Sequence, residues 1–579
     1  MLLKRNPLVL ILTGAIAGLA LGGVTAYWWL NYRRPLPPEV PFGSNVIPQE
    51  ALLVAAVSTE ERQWQQVRQL GTPETRQLLE EAIAEWRDRL FTANGLDYGA
   101  DVQPWLGQEV TVAVLQIVAE EPAEESLLPP PEPEQAIVFL LPIADPVEAQ
   151  ARLSSVLEEP SGEAAAGDRD YRGTAITMLD STGETPYFST VLNNRVIAVS
   201  SRIEAIEQVI DTTKGEGAIA NTDGYRQAFG QITAANPFLR LYVNAPVAKD
   251  WIAANSNQPA PLLGISPLQR NQGIAATVTV TEAGLQIQGI NWLPEDSDLR
   301  YETTNGATEL VTRLPSNTLM MVSGGNFSEF WQSFNPSGES AAETGNPNAF
   351  SQVIQTMTGL DAEQDLLPWM TGEFAVAMVA FPDAAAPDDP AAQRSGIVFL
   401  VEASDRPAAE ATFTELDAVM SNRYRFQVNA AQLEGQPVVN WVSPFEAISV
   451  TRGWLEGDVA FLTLGIPTAT LIVPNPAVPL SENPVFQETI AGAPNPNNGH
   501  FFINVDAILQ RGEEVPIPNL PSNGGAIARA IRAIGVTGAI QNDRRTQFEI
   551  NVLIRTTNEP PQTPEADRPA IPPLVPEGN

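Results

Sequence analysis

The chain has 579 residues, with 33 lysine and arginine residues against 69 aspartate and glutamate residues, a formal net charge of −36, no cysteine and a single histidine. The lack of cysteine excludes disulfide bonds, zinc–thiolate sites and cysteine nucleophiles, and one histidine excludes the histidine clusters of zinc hydrolases. A chain this acidic repels phosphate backbones, so we predict that nucleic acid is not a partner.

The N-terminus has the pattern of a membrane anchor. Lys4 and Arg5 precede an uncharged run over residues 8–30, which ends in aromatic residues and is followed by two arginines. At 1.5 Å per residue such a helix measures about 34 Å, enough to cross a hydrocarbon core of about 30 Å. We therefore predict a transmembrane anchor over residues 1–34, with residues 8–30 in the lipid bilayer.

A cleaved signal peptide is the alternative interpretation of this segment, with a small-residue cleavage site at residues 24–26. The basic residues on the two sides are balanced, but long domains translocate largely regardless of charge. We expect a single-pass protein of a plasma or thylakoid membrane, with the bulk of the chain in the periplasm or lumen.

Three glycines recur every fourth residue in this run, at Gly14, Gly18 and Gly22. They would lie on one helix face and allow a second helix to approach closely, although glycine is also common in membrane helices. We retain them as a candidate helix-pairing face. Residues 35–44 follow as a proline-rich tether.

The body of the chain is duplicated. Each copy has a Gly-Leu-Asp tripeptide, then Pro-Trp with a glutamate four residues after the tryptophan, then an apolar run typical of a strand. These landmarks are residues 95–97, 104–109 and 110–114 in the first copy and residues 359–361, 368–373 and 374–379 in the second.

Further landmarks follow in the same order. An Ile-Val-Phe-Leu run precedes an aspartate that opens an alanine-rich helix, a favourable N-cap position. These are residues 137–140 with Asp145 and residues 397–400 with Asp405. Both copies then end in similar strands, which we align as residues 239–244 and 501–506.

We predict an α+β fold in which the transmembrane helix is followed by two duplicated domains, each a mainly antiparallel sheet with helices on one side. Residues 45–300 and 301–557 form the two domains, with a junction near residues 293–310. The alternation of apolar residues predicts a hairpin of residues 275–281 and 285–292 and a strand over residues 52–57, and the helical period predicts a helix over residues 74–91. Acidic, proline-rich residues 120–134 and 382–390 are predicted to be solvated loops, and residues 558–579 a disordered tail.

The anchor, the Gly-Leu-Asp and Pro-Trp landmarks and the Ile-Val-Phe-Leu strand together resemble the family called domain of unknown function 3352, a largely cyanobacterial group. The resemblance spans residues 45–555, and the first copy departs from the pattern at Gln108, where the second has Gly372. It implies a photosynthetic bacterial envelope or thylakoid membrane. It supplies no catalytic residues.

Two tryptophan–glutamate pairs are the candidate site residues: Trp105 with Glu109, and Trp369 with Glu373. Each pair offers an aromatic wall beside a carboxylate and so fits a ligand pocket. The alternative is a structural motif, in which a turn places the indole under the sheet and the glutamate binds nearby groups.

Other chemistry has little support in the sequence. His500 starts an apolar strand, and we interpret it as structural, since no Gly-x-Ser-x-Gly turn offers it a nucleophile. We find no P-loop pattern and no EF-hand calcium loop, and we predict no catalytic residue, cofactor or metal site.

The leading hypothesis is a non-enzymatic, membrane-tethered scaffold or binding protein that assists a membrane protein complex or self-associates, because two related copies offer two surfaces. The alternative is a carrier or sensor of a small apolar ligand, with Trp86, Trp105, Trp331 and Trp369 as pocket walls. A hydrolase that uses only Asp, Glu, Ser and Arg is the third hypothesis.

Overall fold

A computed structural model describes most of the body of the chain. The described residues are 40–92, 96–117, 134–157, 169–179, 186–255, 270–301, 304–334, 349–381, 395–444, 449–465, 468–511 and 524–556. The predicted anchor over residues 8–30 and its glycine face lie outside these residues, as do the predicted tail and nearly all of both acidic loops.

In the residues that the structure describes, the first copy forms ten antiparallel strands. They are β1 (Leu53–Ser58), β2 (Glu109–Ile117), β3 (Glu134–Pro142), β4 (Arg169–Tyr171), β5 (Thr174–Leu179), β6 (Tyr187–Leu192), β7 (Val196–Ser200), β8 (Leu239–Asn244), β9 (Gly273–Val280) and β10 (Gly284–Trp292). Pairing places them in the order β4-β5-β6-β7-β3-β2-β1-β8-β9-β10.

The second copy repeats this arrangement. Its strands are β11 (Thr318–Gly324), β12 (Phe374–Ala380), β13 (Ser395–Glu402), β14 (Gln427–Leu433), β15 (Gln436–Val442), β16 (Ser449–Leu455), β17 (Val459–Leu464), β18 (Gly499–Ile503), β19 (Ile531–Asn542) and β20 (Arg545–Ile554). Their order is β14-β15-β16-β17-β13-β12-β11-β18-β19-β20, strand for strand that of the first copy.

The two copies join through their last strands. β10 pairs antiparallel with β20 along its whole length, so the strands form one continuous twenty-stranded sheet. At the centre of this pair Gln288 lies opposite Glu549. These two residues occupy equivalent positions in their copies, so a local two-fold axis passes between them.

The strand registers also correct the alignment of the copies. Tyr242 of β8 pairs with Val54 of β1, and Phe502 of β18 pairs with Met321 of β11. Tyr242 and Phe502 are therefore equivalent. Our alignment of residues 239–244 with 501–506 is wrong by two residues, because two apolar alternating strands match equally well after a shift of one full period.

Helices cover both faces of the sheet. In the first copy Val54 belongs to the same buried cluster as the helical residue Ile206, whereas its neighbour Ala55, on the other face, belongs to the cluster of the helical residue Trp64. The α-helices of the described residues are α1 (Glu61–Val67), α2 (Pro73–Leu90), α3 (Pro146–Leu157), α4 (Ile203–Thr213), α5 (Tyr225–Gln231), α6 (Ala245–Asn255), α7 (Phe327–Phe334), α8 (Ala349–Thr358), α9 (Arg406–Asn422), α10 (Pro484–Thr489), α11 (Val505–Gln510) and α12 (Gly524–Ala530).

The predicted fold class is therefore wrong. The copies share one continuous sheet instead of forming two separate ones, and helices pack on both faces instead of one. The predicted fold also began with a transmembrane helix, and among the helices of the described residues none has both the length and the apolar character that crossing a membrane requires.

Several local predictions are confirmed. The hairpin of β9 and β10, the strand β1 and the helix α2 lie where the residue periodicity places them. Asp405 caps α9 by accepting a hydrogen bond from the Ala408 amide, and Asp145 accepts from the Glu148 amide at the start of α3. The exact domain boundaries stay a prediction.

Candidate functional site

The Gly-Leu-Asp landmark builds the same turn in both copies. Asp97 and Asp361 each cap a π-helical turn, over Tyr98–Val102 and Ala362–Leu366. In each turn the capping residue's amide donates to the aspartate four residues later, at 2.8 Å in both copies. This reciprocal arrangement satisfies amides that a helix start leaves without partners.

The two motif tryptophans sit directly after these turns. Trp105 and Trp369 are each 2% exposed. The Trp105 indole donates to the carbonyl oxygen of Asp101 at 2.6 Å, and the Trp369 indole donates to that of Asp365 at 3.1 Å. Both rings pack into clusters beside the sheet, so their faces contact neighbouring side chains.

Glu109 is buried at the start of β2. Its Oε2 accepts a hydrogen bond from the Arg240 guanidinium at 3.0 Å, and the two side chains are only 9% and 10% exposed. Burial raises the pKa of Glu109, while Arg240 and the backbone amide of Phe42 oppose that effect. The pair links β2 to β8 across β1.

Glu373 occupies the same position in the second copy but has other partners. Its carboxylate accepts hydrogen bonds from the backbone amides of Glu309 and Leu310, at 3.0 Å each. Burial raises its pKa, and the two amides oppose that effect. In the second copy the motif glutamate thus binds backbone amides of the segment that leads into the copy's first strand.

The polar groups near Glu109 have less polar counterparts in the second copy. Tyr225 and Tyr242, with ring centroids 4.9 Å apart, correspond to Phe486 and Phe502 at 5.2 Å. By the same registers Ser44, Thr111 and Arg240 correspond to Val311, Ala375 and His500. The first copy is therefore the more polar of the two around its motif glutamate.

His500 confirms the predicted position at the start of an apolar strand, β18. Its Nδ1 lies 2.9 Å from the Thr537 hydroxyl, and its ring contacts Phe486 edge-on. Burial lowers the pKa of His500 to about 4, so the imidazole is neutral at pH 7.

A cleft of about 560 Å³ opens where the two copies meet. Residues from the first copy form most of its walls, and the tip of the β19–β20 hairpin of the second copy completes it. The lining residues are Gln49, Asn221, Thr222, Asp223, Gly224, Asn244, Gln272, Trp292, Leu293, Pro294, Glu295, Asp296, Arg544 and Arg545.

Trp292, the last residue of β10, supports this cleft. Its indole donates to the Asp223 carbonyl at 2.9 Å and stacks on Tyr242. A Cβ atom on Gly224 or Gly273 would lie 2.5 Å from the indole, so both glycines are needed beside so large a ring. The equivalent residue of the second copy is the smaller Leu553.

Charges of both signs face the cleft. Arg544 donates to the Pro294 carbonyl at 2.7 Å and Arg545 donates to the Gln227 side chain. Within the described part of the chain neither guanidinium forms an ion pair. The carboxylates among the lining residues are Asp223, Glu295 and Asp296.

Sequence reasoning missed the cleft. None of the predicted site residues Trp105, Glu109, Trp369 and Glu373 lines the cleft. One signal was available, since the cleft-lining residues 293–296 fall in the predicted junction between the copies. The contribution of Arg544 and Arg545 depends on the β10–β20 pairing, which no local pattern shows.

The fold and the cleft define a tandem-repeat protein with a shared antiparallel sheet and a polar cleft at its junction. A model of a family of proteins of unknown function, DUF3352, matches residues 11–554, and the chain belongs to this family. No curated protein and no solved structure matches the chain.

Proposed function

We propose that this chain is a non-enzymatic binding protein, a scaffold, and that the junction cleft holds a polar segment of a partner protein. The observation that carries the proposal is the cleft itself. It measures about 560 Å³ and takes residues from both copies. A segment bound there contacts both halves of the duplicated body at once.

The lining favours a polypeptide over a small apolar ligand. Ten of the fourteen lining residues are polar or charged, whereas small-molecule pockets are mostly apolar. Gln49, Asn221 and Asp223 on its walls are exposed, as at the polar rim of a protein interface. The carrier hypothesis has less support, because its candidate wall residues Trp105 and Trp369 are packed inside the body.

The charges of the cleft specify the chemistry of the segment. Arg544 and Arg545 are suited to an acidic side chain or a terminal carboxylate, because a guanidinium binds a carboxylate through two parallel hydrogen bonds. Asp223, Glu295 and Asp296 are suited to a basic side chain. We therefore expect a segment that carries charges of both signs, and at an exposed rim such charges mainly set orientation and association rate.

A binding role agrees with how the titratable groups are used. The carboxylates of Glu109 and Glu373 are engaged with Arg240 and with backbone amides, and His500 contacts Thr537. These are the bonds of groups that stabilise the fold. That the body lies outside the cytoplasm, and that its partner is a membrane protein, stay predictions.

Site-specific photo-crosslinking tests the proposal. A photoreactive amino acid replaces Gln49, an exposed residue of the cleft, and in a matched control replaces Gln77, an exposed residue of α2. The purified proteins are irradiated with membrane and soluble extracts of the source cells. We expect a defined protein adduct from position 49 that is absent from position 77, and its fraction of origin tests the predicted membrane partner.

The specificity control is the Arg544→Ala/Arg545→Ala variant carrying the same photoreactive residue at position 49. We expect it to keep its unfolding temperature and to lose most of the adduct. An adduct of equal yield in this variant, or no protein adduct at position 49, contradicts the proposal.

A further inference from the structure

The two ends of the twenty-stranded sheet differ. One end is β4, a strand of three residues that includes the charged Arg169 and Asp170. The other end is β14, with seven residues, Gln-Val-Asn-Ala-Ala-Gln-Leu, none of them charged and none a proline. Natural sheet edges are protected by short strands, charges or proline, and of these two described end strands only β4 has such features.

The backbone of β14 has groups that face away from the sheet. Among the described strands it pairs with β15 alone. Glu434 and Gly435, with φ of 47° and 82°, form the two-residue turn of this hairpin, a geometry in which the flanking Leu433–Gln436 pair is hydrogen-bonded. Because hydrogen-bonded and non-bonded pairs alternate along an antiparallel ladder, the N–H and C=O groups of every second residue point outward. These residues are Val428, Ala430 and Gln432.

We propose that β14 is a dimerisation edge, where it pairs antiparallel with β14 of a second copy of this chain about a two-fold axis at Ala430. An antiparallel pair of identical strands is self-complementary, as a two-fold interface requires. In this register residue 428 lies opposite residue 432 of the other copy, so all three outward-facing residues find hydrogen-bond partners. The sheet then continues from one molecule into the next.

The charges beside β14 identify a second copy as the occupant. Arg425 lies two residues before the strand and Glu434 follows it directly, and both are exposed. Within the described residues neither forms an ion pair. Pairing about Ala430 sets Arg425 of each chain opposite Gly435 of the other, next to Glu434, and we assign one Arg425–Glu434 ion pair to each end of the uncharged strand. This local match lets two molecules of net charge −36 approach each other.

Apolar surface flanks the same edge. Val353 and Met357 of α8 are 52% and 53% exposed. The Met357 carbonyl accepts a hydrogen bond from the Tyr424 hydroxyl at 2.7 Å, and Tyr424 directly precedes Arg425. A second molecule at β14 is placed to cover these side chains as well.

The test is the mass of the full chain in solution, measured by sedimentation equilibrium up to the highest soluble concentration. We expect a monomer–dimer equilibrium. Ala430→Pro should abolish the dimer and leave the monomer folded, because it removes an outward N–H that β15 does not use. Arg425→Glu and Glu434→Arg should each weaken the dimer about tenfold or more, since each replaces two ion pairs by two repulsions.

The double variant Arg425→Glu/Glu434→Arg should recover the dimer, because it restores both ion pairs with the signs exchanged. Arg62→Glu, on the exposed side of α1, makes the same change in net charge as Arg425→Glu and should leave the dimer unchanged. A monomer at every concentration, or a dimer that persists in Ala430→Pro and in both single reversals, overturns the proposal.

Discussion

His500 shows how one buried side chain makes stability depend on pH. Burial lowers its pKa from 6.5 to about 4. The unfolded chain, in which the histidine has its ordinary pKa, binds a proton more readily than the folded chain does. As the pH falls below the unfolded-state pKa, protonation therefore favours unfolding and the stability of the folded chain decreases. We therefore expect this residue to cost roughly 3 kcal/mol of folding free energy as the pH drops from 6.5 to about 4.

The measurement compares the unfolding free energy of the wild type with that of His500→Gln across this range. We expect the difference between the two proteins to change by that amount in favour of the variant as the pH falls. Since the chain has one histidine, its NMR signal also gives the pKa directly. A titration midpoint near 6.5 in the folded protein would contradict the expectation.

For single residues, the sequence predicts the surroundings of a side chain better than it predicts which residue the side chain contacts. The apolar residues after His500 were enough to place it in a strand. The partner of Glu109 could not be predicted, because Arg240 lies 131 positions away and meets it only through the pairing of β1 with β2 and β8. Nor could spacing show that Glu373, in an equivalent position, binds backbone amides instead.

The pairing of β10 with β20, which joins the two copies, leaves room only for glycine at position 289. Gly289 of β10 lies opposite Phe548 of β20, and a Cβ atom there would lie 2.1 Å from Cζ of the ring. We expect Gly289→Ala to lower the free energy of unfolding by about 1–3 kcal/mol, the usual cost of overpacking. Denaturant unfolding measures the change.

Two variants identify the cause of this loss. In the Phe548→Leu background, Gly289→Ala should cost measurably less, since the smaller side chain leaves room for the methyl group. Gly538→Ala, in β19 with nothing within 4 Å of the added carbon, is the matched control and should have a smaller effect. Equal losses at positions 289 and 538 would show that the ring contact is not responsible.

The hairpin of β9 and β10 was predictable, because alternation and a glycine-containing turn occur within one short stretch. The pairing of β10 with β20 was not. Gln286 and Gln288 resemble the solvent-facing residues of an edge strand, yet they donate to Glu549 at 3.1 Å each. In the sequence, a strand whose polar side chains bind those of a distant strand has the same alternation of polar residues as an exposed edge strand.

For the whole molecule, the shared sheet predicts that the halves bind each other. Residues 40–300 and 301–556, produced together as separate chains, should form a one-to-one complex through β10 and β20, because each half alone exposes the strand that the other covers. Copurification through a tag on one half, with light scattering for the mass, checks this. Gly289→Ile in the first half should prevent the association, and two stable, separate halves would contradict it.

The sequence was sufficient to predict that the body is duplicated, since landmarks such as Pro-Trp and Ile-Val-Phe-Leu recur in order. It did not predict that helices cover both faces. Val54 and Ala55 are adjacent apolar residues on opposite faces, and short runs of this kind do not show which elements will cover them. The cleft forms because β10 pairs with β20. It could not be predicted from the sequence, since that pairing could not.

Gln288 and Glu549 face each other on the local two-fold axis, and this pair has a consequence for how such a sheet can be assembled. In a symmetrical dimer of single-copy chains, the residue at this position would face itself. Glutamate would face glutamate, and two ionised carboxylates would repel each other. With both copies in one chain, Gln288 donates a hydrogen bond to Glu549 at 3.1 Å. Covalent fusion thus permits a donor opposite an acceptor, a combination that identical subunits cannot place on their own symmetry axis.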